Sequence, residues 1–227
     1  MKRIKALCCF SSLICVLLVS CGLESYVYLN PAEVRSYTIF SAEITLPQQA
    51  ADEFRNYIIY YRIYLSSLQL ESSPQVQYND INTMLFNDYR MLLRYEDDDN
   101  MAPASIDRVF KERKYYSLNP VNILNSKAGG IVQLDFTTDS TSPLMLYYPL
   151  PSSVLNGPFE LLRYDVSLTD RTFNNTKVLE NIAADIQDSD TTRVFAYVSM
   201  YILAFGVDSN YSPLYSRPKH IGVFRLP

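Results

Sequence analysis

The chain has 227 residues, with 20 Lys+Arg against 24 Asp+Glu and a formal charge of −4. An acidic chain has no general attraction for nucleic acid or anionic lipid, so neither is expected as a partner through charge. Hydrophobic residues make up 48%, the content of a folded globule rather than a disordered chain, and 19 tyrosines with only 6 glycines favour strands.

All 4 cysteines stand within the first 21 residues, at Cys8, Cys9, Cys15 and Cys21. Lys2, Arg3 and Lys5 open the chain, residues 6–19 are apolar, and small Ser20 precedes Cys21. A positive start, a short apolar core and a small residue at the cut describe a secretory signal peptide over 1–20. Such a core rises only about 21 Å as a helix, short of the ~30 Å hydrocarbon layer, so a permanent span is not expected.

Leu18-Val19-Ser20-Cys21 resembles the lipobox of bacterial lipoproteins. The resemblance implies cleavage between Ser20 and Cys21 and a thioether from the Cys21 sulfur to diacylglycerol. The thiolate is the strong nucleophile this chemistry needs. At about 0.8 kcal/mol per buried methylene, two or three acyl chains hold a protein on a bilayer almost irreversibly. Removing the leader takes three basic residues and no acids, and leaves Cys21 as the last cysteine. The mature domain, 21–227, therefore folds without an internal disulfide.

Residues 26–29 are extended and end at the turn signal Asn30-Pro31. The loose alternation over 37–46 reads as one strand. Residues 54–65 (FRNYIIYYRIYL) are the strongest strand, with Tyr57, Ile59, Tyr61 and Ile63 on one face and Ile58, Tyr60, Arg62 and Tyr64 on the other. Over 80–94, Ile81, Met84, Leu85, Tyr89 and Leu92 take helical spacing behind Asp80 as N-cap, and a charged loop at 96–100 ends the helix. The pattern is weaker over 101–129 and allows a short helix at 105–113 and a short strand at 114–118.

Gly129-Gly130 reads as a turn opening a strand at 131–137. A short apolar strand follows at 144–148. Residues 159–168 alternate with Leu162, Tyr164, Val166 and Leu168 on one side, and 177–184 allows a helical turn. The stretch 194–207 carries no charge, is rich in β-formers and is too short for a membrane helix, which makes a central strand over 194–204. A loop over 206–215 and a final strand over 221–226 complete a mainly β chain, a sandwich with an α-containing insertion at about 66–130.

Tyr57-Ile58-Ile59-Tyr60-Tyr61-Arg62-Ile63-Tyr64 resembles the C strand of fibronectin type III domains. Val198, Met200, Ile202 and Ala204 resemble its strand F, and Tyr215-Ser216-Arg217-Pro218 the step into strand G. The family's tryptophan of strand B has no counterpart, and Val198 stands where strand F carries its tyrosine. The leader joined to such a domain is similar to lipoproteins of spirochaetes. The resemblance implies a fibronectin type III/immunoglobulin-like sandwich whose N-terminal pole lies near the bilayer and whose insertion projects from the far end.

Few residues point to chemistry. The single His220 lacks a nucleophile elbow of the Gly-x-Ser-x-Gly kind and reads as an exposed strand residue rather than a catalytic one. One histidine and one lipidated cysteine do not make a zinc site. Residues 97–100 lack the alternation and glycine of a calcium loop, and Asp185, Asp188 and Asp190 read as solvated acids. Asn174-Asn175-Thr176 has only the form of a glycosylation sequon. No catalytic residue, metal or cofactor is expected. The expectation is a non-enzymatic envelope lipoprotein at the periplasmic or outer-membrane face, meeting a protein or glycan through its distal insertion. The alternative is a hydrolase using paired carboxylates in a cleft, for which no spacing selects a pair. A third possibility is a carrier with a tyrosine-lined groove.

Overall fold

A computed structural model describes residues 27–66, 104–118, 122–136, 145–147, 159–163, 171–180, 185–187 and 194–227. Ser20, Cys21, the helix expected over 80–94, the acidic loop at 97–100, Asp188 and Asp190 lie outside the described residues.

The organising pair is β3 (Phe54–Ser66) and β9 (Phe195–Val207), each 13 residues long. They run antiparallel, with Tyr57 opposite Ala204 and Ile63 opposite Val198. Both sequences are dense in β-branched and aromatic residues, which suits strands covered on both faces. The free edge of β9 carries β10 (Pro213–Tyr215) and β11 (Lys219–Arg225). The free edge of β3 carries β4 (Tyr116–Ser117), antiparallel, and β8 (Ile186–Gln187), parallel.

A second sheet has the order β1-β2-β5-β6-β7, from β1 (Glu33–Tyr37), β2 (Ser41–Leu46), β5 (Gly130–Asp135), β6 (Met145–Tyr147) and β7 (Phe159–Glu160). Strand β2 alternates in burial, so Ala42, Ile44 and Leu46 face inward and pair with β5 through Leu134 and Val132. These meet Ile59, Tyr61 and Ile63 of β3 and Val198, Met200 and Ile202 of β9 in one apolar core between the sheets. Each such side chain, fully buried, stabilises the fold by about 1.5–3 kcal/mol. The chain is therefore mainly β, with two sheets packed face to face.

One flank is closed by Tyr37. Its hydroxyl donates to the Val223 carbonyl and accepts the Val223 N–H at 2.9 Å, joining β1 to β11 across the two sheets. The ring lies over Gly222, where a Cβ would collide with it, and packs edge-on against Phe224 at 5.3 Å.

Four expectations need correction. The strand expected over 37–46 is a hairpin, because the Thr38 hydroxyl takes the N–H groups of Phe40 and Ser41 and turns the chain. The loop expected over 206–215 is also a hairpin: β9 continues to Val207, and the Asp208 carboxylate accepts the N–H groups of Asn210 and Ser212 in the turn. Of the strand expected over 159–168, β7 covers only Phe159–Glu160; beyond it Leu161 and Arg163 are buried and Leu162 half-buried, and residues 164–168 lie outside the described residues. Finally, the described part of the 66–130 insertion does not project. The helix α1 (Ala104–Glu112) and β4 lie along the flank, with the Leu118 N–H bonded to the Ile59 carbonyl in mid-β3.

The Gly129-Gly130 turn is as expected. Gly129 has φ +72°, and a Cβ there would strike the Leu46 carbonyl. The short α2 (Asn175–Glu180) starts where the Asn174 carboxamide accepts the Lys177 N–H at 3.1 Å, an N-cap role for the sequon asparagine. Among the described residues no helix is long and apolar enough to cross a membrane.

Candidate binding site on the outer face of the β3–β9 sheet

The face of β3 and β9 turned away from the other sheet carries Tyr60, Arg62 and Tyr64 opposite Tyr201, Ser199 and Tyr197. It is covered by α1, whose Ile106 and Phe110 pack with Tyr60, Tyr201 and Leu203 in a second, smaller core. Phe110 stacks on Tyr60 at 4.6 Å and meets Tyr201 edge-on at 5.5 Å. Such aromatic pairs contribute about 0.5–1.5 kcal/mol beyond their buried area.

The helix stops in a way that delivers the next aromatic to the sheet. Lys114 takes a left-handed conformation with φ 57°, its N–H bonds the Lys111 carbonyl at 3.0 Å, and the Tyr115 N–H reaches back to Phe110 at 2.9 Å. This is a Schellman end with lysine where glycine is usual, sealed by the Phe110–Tyr115 ring contact at 5.5 Å. Tyr115 then lies over Arg62, whose guanidinium sits 5.9 Å from that ring and 5.2 Å from Tyr64. Those ring faces explain how a charged residue tolerates the buried face of β3.

Where the end of α1 meets β4, a pocket of about 420 Å³ opens, lined by Tyr60, Asp107, Lys111, Tyr115, Tyr116 and Ser117. The Tyr60 hydroxyl donates to Asp107 Oδ1 at 2.7 Å, and Lys111 Nζ meets Asp107 Oδ2 at 2.6 Å. Burial, reinforced by the Asp107 carboxylate, pushes the Tyr60 phenol far up, and the same two causes push Tyr215 up to about 12. The Tyr60 phenol is thus held neutral as the donor to Asp107. The pocket presents hydroxyls, an ammonium and aromatic walls, a set that recognises polar ligands through hydrogen bonds and ring contact. Asp107 is the pocket's carboxylate, and both its oxygens are engaged.

His220 is not the exposed strand residue the sequence suggests. It is half-buried on this face, 4.6 Å from the Tyr201 ring, with Nε2 3.3 Å from the Ser199 hydroxyl. That hydroxyl continues to Tyr115 at 3.4 Å and on to Tyr64 at 3.3 Å. Burial, with Lys219 adding to it, lowers the His220 pKa to about 3. An imidazole that weak is a poor general base, and Ser199 at 2% exposure is closed to substrate, so the pair knits the face together.

Asp185 also departs from expectation. It is not a solvated acid but lies 1% exposed, bound by Arg163 through Nε at 2.8 Å and Nη2 at 2.6 Å. The Tyr61 hydroxyl donates to the same carboxylate at 2.7 Å. Burial opposes the Arg163 charge, yet Asp185 outweighs it and raises the pKa. Nothing in the local alternation of 159–168 marks Arg163, because its partner Asp185 lies 22 positions further along the chain. Among the described residues no group of three or more His, Cys, Asp or Glu is arranged to hold a metal.

Compared with known protein families, with curated proteins and with solved structures, the chain matches none.

Proposed function

We propose that this chain is a non-enzymatic, lipid-anchored lipoprotein of the cell envelope, a β-sandwich of fibronectin type III-like type that holds a protein or glycan partner. The strand order supports the finer fold reading. Strands β1, β2 and β5 stand as A, B and E stand in that family, and β11, β9 and β3 as G, F and C. Two stretches, before and after β5, are longer than that comparison accommodates and would be insertions in it. The anchor reading rests on Leu18-Val19-Ser20-Cys21, and the spirochaete-type affiliation on that leader joined to the sandwich.

The observation that carries the binding role is the pocket under α1, with its phenol, ammonium and hydroxyl groups between aromatic walls. It moves the contact surface from the far end of the insertion to its flank. A hydrolytic reading needs two carboxylates facing one substrate. In the described pocket the single carboxylate, Asp107, is committed to Tyr60 and Lys111.

Photocrosslinking on intact cells tests the role. A benzophenone side chain at exposed Lys111, on the rim, is expected to capture a discrete partner, while one at exposed Arg35 on the opposite sheet is not. Equal capture at both positions, or none at Lys111, would overturn it. Point substitutions are the better probe than deleting the insertion, because removing α1 uncovers Tyr201 and Leu203.

A further inference from the structure

The end of the sandwich where the described chain begins, at Val27, is built from four segments. Asn30 bonds Gln48 and Gln49 through its side chain and N–H, the Gln49 N–H bonds the Lys127 carbonyl at 3.0 Å, and the Val207 N–H bonds the Glu53 carbonyl at 3.0 Å. Residues 27–31, 47–53, 126–129 and 208–212 therefore share one pole.

Two of the three strongly exposed large hydrophobics among the described residues stand on it, Tyr28 at 63% and Tyr211 at 90%. The third, Val194, precedes β9, whose thirteen residues put it about 40 Å away at the other pole. Tyr211 is held outward by a fixed turn. Its N–H bonds the Asp208 carbonyl at 3.1 Å, and its φ of 62° is a conformation bulky residues avoid. A glycine would suit that turn better, so strain is spent on presenting a tyrosine.

At this pole an ion pair joins two segments, and the Asp208 carboxylate is taken up by N–H groups of its own turn. Lys127 meets Asp52 at 3.1 Å, and the Arg55 guanidinium bonds the Asp52 carbonyl at 3.0 Å. Only five residues of chain separate Cys21 from Val27, a reach of about 20 Å at most. A tyrosine has an apolar ring and a wet tip, the combination favoured where acyl chains give way to headgroups.

From these observations we infer that this pole docks on the headgroup layer of the bilayer, with Tyr28 and Tyr211 seated at the interface. The inference rests on lipidation at Cys21. The acyl chains supply the affinity, and the two tyrosines fix which end of the sandwich faces the lipid. The flank carrying α1 and its pocket then stands clear of the surface.

The chain contains no tryptophan, so Tyr28→Trp, Tyr211→Trp and Val194→Trp each create a single reporter. Each variant is produced with its own leader, purified from membranes and reconstituted into phosphatidylcholine vesicles containing brominated lipid. Bromine quenching is expected to be severalfold stronger at 28 and at 211 than at 194. Quenching at 211 no stronger than at 194 overturns the docking, even if 28 is quenched, since proximity to the anchor alone would give that. The mass of the N-terminal peptide from the same preparation separates the two ideas. A lipidated Cys21 without quenching at 211 sinks the docked pole alone, and an unmodified Cys21 sinks the anchor and the docking with it.

Discussion

The two faces of the β3–β9 pair are both buried, yet they are built from different chemistry. The inner face is closed mainly with aliphatic side chains against β2 and β5, and the hydroxyls of its tyrosines on β3, Tyr57 and Tyr61, are taken up inside the fold by the Pro47 carbonyl and Asp185. The outer face is closed with tyrosines against α1, and its hydroxyls, a histidine and an arginine are tied into one network. A face whose few hydroxyls are already bonded inside the core leaves nothing to offer. A tyrosine interface keeps polar tips within reach of its rim, so a pocket at its margin comes supplied with donors and acceptors. On the function proposed above, the first face supports the fold and the second serves recognition.

The sharpest way to break that comparison is at the Arg163–Asp185 ion pair buried in the inner core. Asp185→Ala strands the Arg163 guanidinium with no counter-charge and is expected to cost about 3–5 kcal/mol in urea unfolding. The double substitution Arg163→Met with Asp185→Leu is expected to recover most of the loss. Equal losses from both variants would mean that packing, not charge, dominates there.

On the outer face, Phe110→Ala removes the ring shared by Tyr60, Tyr115 and Tyr201, and about 3 kcal/mol should go with it. Hydrogen exchange should show α1 losing protection while β3 and β9 keep theirs. A uniform loss would make the two faces one cooperative unit.

The faces should also differ in acid. His220 is neutral in the fold because burial and Lys219 lower its pKa to about 3, whereas an unfolded histidine takes a proton near 6.5. Between those values the unfolded chain binds the extra proton, so stability falls as pH drops through that window, by at most about 1.4 kcal/mol per pH unit. His220→Gln should remove this part of the slope. Parallel pH profiles for the variant and the wild type would contradict it.

The smallest expected effect concerns the helix end. Lys114→Gly relieves a left-handed lysine and should raise stability by about 0.5–1 kcal/mol in thermal melts. A loss instead would show that the lysine side chain holds the turn.

Much of the sheet was legible in the sequence because β3 and β9 are apolar on both faces, which demands a cover on each side. The helix over 105–113 was readable as a helix, but its place as one such cover was not, since the insertion was expected to project. What could not be read depends on partners far apart in the chain. Asp185 becomes a core residue only because Arg163 and Tyr61 converge on it, and Tyr61 is 124 positions away. The Thr38 turn replaces ladder bonds with a side-chain hydroxyl that strand periodicity does not register. The pocket was hidden for a similar reason. It forms where α1 and β4 converge on Tyr60 of β3, a juxtaposition that local spacing does not carry.

The account rests most heavily on the N-terminus. Feeding the producing cells a tagged palmitate and isolating the protein tests it directly, beside a Cys21→Ala variant. Label on the wild type and none on the variant is the result expected. A wild-type protein without label, or a variant that keeps it, would contradict the anchor and return the sandwich to solution.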